Sequence, residues 1–256
     1  MILAALAGCV GDVEPRGPCV DAPAGGFELL EAGGLGSFDG QVWDAPEPGE
    51  RPVAEVHGDC ELLVLPSCPQ GCAAGEVCRA GGVCEAFPTP VELGRLTLSG
   101  DLPRVRLDPL DPGALYTSGV DVPEPGARIR LVGRDLALGT VAVASMTGGP
   151  TDLRLQAGVP LDVSWDAGSA GDDVVLTLAV DQHGASQAAL RCTFGDVGSG
   201  VVPASAVDAL LARGVSGFPS ASLARTRVDH TDVQGGCVEL SSRSVVPVDL
   251  DLQGGL

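Results

Sequence analysis

Not one lysine occurs in the 256 residues; the 15 cationic side chains are all arginine. Mutational bias in a GC-rich genome explains that more simply than selection does. Against 34 Asp and Glu the formal net charge is −19. A nucleic-acid binder needs clustered cations to displace phosphate counterions, and the sequence shows no such cluster. An anionic membrane surface would repel the chain for the same reason. DNA, RNA and polybasic attachment to lipid are set aside.

Aromatic residues are equally scarce, at 3% of the chain. Sugar binding calls for exposed aromatic platforms, and with Trp165 read as core, only Trp43 and Tyr116 remain to supply them. No apolar run approaches the roughly 18 residues that span a bilayer as a helix. Several catalytic and metal signatures are missing too. There is no G-x-S-x-G elbow, no H-E-x-x-H helix, no D-x-D-x-D-G loop and no C-x-x-C pair.

What is present is apolar and rich in turns. Hydrophobic residues are 45%, enough for a real core, and Gly 37 with Pro 20 favours short strands over long helices. The start, "MILAALAGC", carries Leu6-Ala7-Gly8-Cys9, which resembles the lipobox of bacterial lipoproteins. The resemblance implies that residues 1–8 are a signal peptide, here truncated and without a basic region, cleaved before Cys9. It further implies acylation of the Cys9 thiol and a lipid bilayer as the partner that holds the chain. Val10 follows the cysteine in place of Asp, which resembles the outer-membrane default of Gram-negative bacteria. The expected location is therefore the cell envelope.

Nine cysteines is an odd number for an exported chain. Acylating Cys9 leaves eight, which outside the cytoplasm are expected to be oxidised. Cys68, Cys72, Cys78 and Cys84 stand in "CPQGCAAGEVCRAGGVC", whose spacing lacks the paired knuckles of zinc ribbons. That pattern resembles the Cys-rich segments of uncharacterised bacterial lipoproteins and, loosely, EGF-like modules. Six cysteines in the first third can pair in many ways. The favoured set is Cys19–Cys60 with cross-paired bridges among the clustered four. Cys192 and Cys237, far downstream, are expected to pair with each other, stabilising the fold by about 4 kcal/mol.

From Gly94 onward the chain alternates apolar and polar residues, as in "GRLTLSG" (94–100), "ARIRLVG" (127–133), "TDLRLQAG" (151–158), "AALRCTF" (188–194) and "CVELSSRSVVPVDLDL" (237–252). Alternation with period two buries one face of a strand and wets the other. "PASAVDALLARG" (203–214) breaks the rule: Val207, Leu210 and Leu211 stand at helical spacing between Pro203 and Gly214. The run "PLDVSWDAGSAGDDVVLTLAV" resembles a hairpin of an Ig-like or fibronectin-like domain with Trp165 buried. The predicted fold is all-β: a disulfide-rich N-terminal module followed by an Ig-like β-sandwich with one short helix. The expected division is a lipidated tether at 9–18, the Cys-rich module at 19–86, a proline-stiffened linker at 87–92 and the sandwich at 93–256.

Candidate chemistry is thin. "DAGS" (Asp166–Ser169) and "DVGS" (Asp196–Ser199) resemble the repeated motif of aspartic proteases. Ala167 and Val197, however, replace the hydroxyl that braces such a dyad, so two β-turns are the expected reading. His57, His183 and His230 read as surface residues near turns and strand ends. Asp172, Asp173, Asp108, Asp111, Asp249 and Asp251 could offer hard oxygens to calcium, but solvated turn carboxylates are the default, and no cofactor is expected. The functional expectation is a non-catalytic envelope lipoprotein with a structural or interaction role and a protein or glycan partner. A secreted hydrolase and a carbohydrate or polymer binder are the alternatives.

Overall fold

The computed structural model describes residues 16–49, 51–182, 185–214, 219–233 and 236–253. Cys9 and His183 lie outside the described residues. The chain begins with β1 (Gly25–Ala32), β2 (Leu35–Val42), β3 (Val53–His57) and β4 (Cys60–Val64), then the Cys-rich hairpin β5 (Glu76–Arg79) and β6 (Val83–Ala86). Next come β7 (Leu96–Gly100), β8 (Val105–Leu107), β9 (Tyr116–Val120), β10 (Arg128–Val132), β11 (Ala137–Val141), β12 (Asp152–Gln156) and β13 (Leu161–Ser164). The last third holds β14 (Asp173–Gln182), β15 (Ala185–Gly195), β16 (Ser199–Val202), α1 (Ala204–Leu211), β17 (Ser220–Val233) and β18 (Gly236–Gln253). The protein is all-β, with one short α-helix among the described residues.

The alternating segments become strands with one buried face, as their period requires: β10 and β12 both run exposed, buried, exposed, buried, exposed. One large sheet runs β3-β4-β15-β14-β17-β18-β1-β2-β9. The long β18 makes this possible. It pairs antiparallel with β17 along most of its length. On its other edge it pairs in parallel first with β1, over Glu239–Ser244, then with β12, over Asp249–Gln253. Pro247, which has no N–H to donate, falls between those two pairings, where its missing donor costs least.

Because β18 changes neighbour, one sheet forms a wall of two cores. In the first, Phe27, Leu29, Phe38, Tyr116, Val238 and Leu240 meet Leu96, Leu98, Ile129 and Leu131 of the four-stranded sheet β11-β10-β7-β8. In the second, Leu62, Val174, Leu176, Leu190 and Leu223 meet Leu153, Leu155, Val163 and Trp165, and α1 covers them with Ala206, Val207 and Leu210. Close approach leaves no room for side chains at some points. A Cβ on Gly40 would run into the ring of Phe27.

The arrangement corrects the expected division. β1, β2 and β4 are not a separate small sheet; β1 pairs with β18 and β4 with β15. Residues 87–92 are not a free linker either. The amide of Val91 donates to Val42 O (2.8 Å), and Trp43 bridges to Pro90. The sandwich therefore uses strands from both sides of residues 87–92, while β5–β6 and β13–β16 each form a separate two-stranded sheet.

The cysteine pairing is corrected for the same reason. All eight cysteines from Cys19 on are in disulfides: Cys19–Cys237, Cys60–Cys192, Cys68–Cys78 and Cys72–Cys84. The clustered four cross-pair, whereas Cys19–Cys60 and Cys192–Cys237 do not form. Cys60 lies directly opposite Cys192 in the β4–β15 ladder. Cys19 precedes β1, whose partner β18 begins beside Cys237. Strand neighbourhood, not nearness in sequence, decided which thiols met.

Candidate functional site

The two Asp-x-Gly-Ser segments are not independent turns. They meet around Arg225, a β17 side chain that is 2% exposed and paired with Asp196, itself 1% exposed. Arg225 Nε donates to Asp196 Oδ2 (2.6 Å), Nη1 to the carbonyls of Ala144 and Ser145 (3.0 Å each), and Nη2 to the carbonyl of Asp166 (2.6 Å). Asp196 also accepts from Trp165 Nε1 (2.7 Å) and from the amide of Gly168 (2.9 Å). A side chain on Gly168 would overlap the guanidinium, so the glycine in "DAGS" is required by packing.

Burial alone would raise the Asp196 pKa. The hydrogen bonds from Arg225, Trp165 and Gly168 outweigh it and hold the carboxyl below its usual range. Nearby Asp172 shows the opposite balance: burial raises its pKa although Arg227 lies 2.9 Å away. Two carboxylates held apart in this way can mark an acid–base pair. Here, however, the Asp196 oxygens and the Arg225 donors are consumed by protein groups, and both side chains are sealed from solvent. The centre is a structural hub that ties three loops to β17.

A second polar cluster fastens the N-terminal segment. Arg16 donates from its amide and its Nε to the buried Asp229 (3.0 and 3.1 Å), and His230 Nδ1 lies 2.9 Å from the carbonyl of Gly17. The amide of Cys19 donates to Glu239 (2.7 Å), and the Cys19–Cys237 bridge completes the clamp. His230 is therefore half-buried inside β17, not a strand-end surface residue.

A third arrangement was invisible in the sequence because its members stand 148 residues apart. His57 Nδ1 lies 3.2 Å from Ser205 Oγ, and its Nε2 lies 3.2 Å from Glu55 Oε2. Ser205 sits in the first turn of α1, and Glu55 also binds Arg213 (2.9 Å). With Nε2 protonated and donating to Glu55, Nδ1 is free to accept the serine proton. The row lies on the surface, with the Glu55 side chain 44% exposed.

The remaining expectations resolve simply. Tyr116 is fully buried; it accepts from the Leu93 amide (3.0 Å) and donates to Gly94 O (2.9 Å), so it is no platform. Trp43 is half-buried and packs edge-on against Phe87. Cys68, Cys72 and Cys78 form one group of possible ligand atoms within 4.8 Å of one another, and Cys72, Glu76 and Cys84 another, but every sulfur there is in a disulfide and offers no thiolate. Asp108 pairs with Arg95 and Asp251 lies near Arg154, so neither is a bare oxygen ligand.

No known family and no curated protein matches the chain. Among solved structures, the FN1–FN3 domains of chicken CNTN1 are similar with a TM-score of 0.19 and 8% identity, over 84% of this chain and 78% of that one.

Proposed function

We propose that the protein is a non-catalytic envelope module, held by an acylated Cys9 and acting through its surface. The observation that carries this reading is the clamp on residues 16–19. Arg16, Gly17 and Cys19 are fastened to Asp229, His230, Glu239 and Cys237. Residues 10–15 then span about 20 Å at full extension, a short leash that would hold the body close to the bilayer. A clamp there has a purpose if force or attachment enters the fold through the N-terminus. Expressed with a full-length signal peptide, the native protein should fractionate with membranes, and Cys9→Ser should release it. Mass spectrometry that finds Cys9 unmodified in the native protein would overturn the reading.

The hydrolase reading has one observation in its favour, the Ser205–His57–Glu55 row. Against it, the row is open to water and Glu55 is shared with Arg213. A buried, pre-organised row would stabilise charge far better. Labelling by a fluorophosphonate that disappears in Ser205→Ala would establish the hydrolase; the envelope-module reading expects no labelling in either protein.

A further inference from the structure

No run of cations stands in the sequence, but strand pairing gathers some of the arginines in the fold. Arg95 stands just before β7, and Arg104, Arg106, Arg128, Arg130 and Arg134 fall between β7 and β11. Alternation places three of them on one side of the four-stranded sheet. Leu96, Leu98, Leu107, Ile129 and Leu131 point into the core, so Arg106, Arg128 and Arg130 point out; Arg104, immediately before β8, is exposed as they are. The ladder then sets their spacing. Thr97 is opposite Arg106 on one side, and Ser99 is opposite Arg130 on the other. Arginines two apart on a strand stand about 7 Å from each other, and β8 and β10, separated only by β7, stand about 10 Å apart. Two pairs of guanidinium groups thus flank a floor of two hydroxyls.

Arg128 is committed to Asp101 (3.1 Å). The side chains of Arg104, Arg106 and Arg130 make no ion pair or hydrogen bond among the described residues. In a chain of net charge −19 with every lysine missing, three unneutralised arginines side by side are an anomaly. A folded protein has carboxylates to spare here and has not used them.

We propose that this face binds an acidic polysaccharide, its carboxylate or sulfate groups taken by Arg104, Arg106 and Arg130 and its hydroxyls by Thr97 and Ser99. The inference rests on the surface-acting reading above but not on the lipid anchor. Charge complementarity selects a polyanion, and the planar fork of arginine suits carboxylate and sulfate oxygens. No aromatic residue stands on the face to stack nucleobases. Val132 and Ala137, its exposed apolar side chains, are too small to enter a bilayer. A flexible chain of charged sugars needs neither.

The test uses the soluble protein starting at residue 10, so that acylation plays no part. It should be retained on immobilised polygalacturonate and released by salt, since the contact is ionic. It should pass through neutral dextran. Arg104→Gln/Arg106→Gln/Arg130→Gln should weaken retention by roughly tenfold or more. A control with the same charge loss elsewhere, Arg154→Gln/Arg191→Gln/Arg213→Gln, should bind as the parent does. Equal binding by the two triple variants would overturn the proposal. So would retention on dextran, or no retention on polygalacturonate or on a sulfated glycan. Binding confined to single-stranded DNA or to anionic vesicles would transfer the face to another ligand and also overturn it. Failure of any of these leaves the Cys9 experiment unaffected, so the two readings fall separately.

Discussion

Arg225 shows how much one residue can govern. A buried guanidinium is tolerable only when its donors are met, and here they are met by Asp196 and by three carbonyls from two further loops. Removing one partner strands the other. Asp196→Ala should therefore destabilise the protein by about 3–5 kcal/mol, measured by urea unfolding, with Arg225→Ala costing a similar amount. The double variant should cost much less than the sum, because the interaction can be lost only once. The pH dependence has a defined sign. The Asp196 carboxyl is held below its unfolded value, so its contribution is full above the ordinary carboxylate pKa of about 3.9 and is lost as pH falls through the lower, folded value. Asp196→Asn should accordingly flatten the acid limb of the stability curve. An unchanged acid limb would contradict the role given to the pair.

At the scale of elements, the strands and the helix were legible, and their partners were not. Alternation placed β7, β10, β12 and β18, and Pro203 with Leu210 and Leu211 placed α1, because period and capping are local. Alternation within β8 and β10 turns Arg106, Arg128 and Arg130 to one exposed side, beside Arg104. Only the β8-β7-β10 neighbourhood brings the two pairs together, however, and that is a fact of topology. The meeting of Ser205 with His57, and of Asp196 with Arg225, depends likewise on pairings across most of the chain. So does the cysteine pattern. Sequence distance suggested Cys19–Cys60, whereas the ladder set Cys60 against Cys192. Replacing that buried bridge with Cys60→Ala/Cys192→Ala should cost about 2–5 kcal/mol. Cys60→Ala alone should cost a similar amount and leave one thiol that Ellman's reagent detects only after denaturation, because the site is sealed. Loss of the Cys72–Cys84 bridge should cost the body far less, since it closes a short hairpin outside both cores.

For the whole molecule, the first and last thirds of the chain share one sheet, to which the middle third adds β9 and β12. Removing residues 1–92 takes away β1, β2 and β4, and with them Phe27, Leu29 and Phe38 from one core and Leu62 from the other. A fragment of residues 93–256 should then be unable to close either sandwich. It should bind a hydrophobic dye and show no cooperative melting, whereas the longer chain melts cooperatively. The central claim, that early strands complete late ones, is tested most directly by peptide mapping of the unreduced protein. The account predicts peptides joining Cys19 to Cys237 and Cys60 to Cys192. Peptides joining Cys19 to Cys60 and Cys192 to Cys237 would mean two self-contained units and would contradict it.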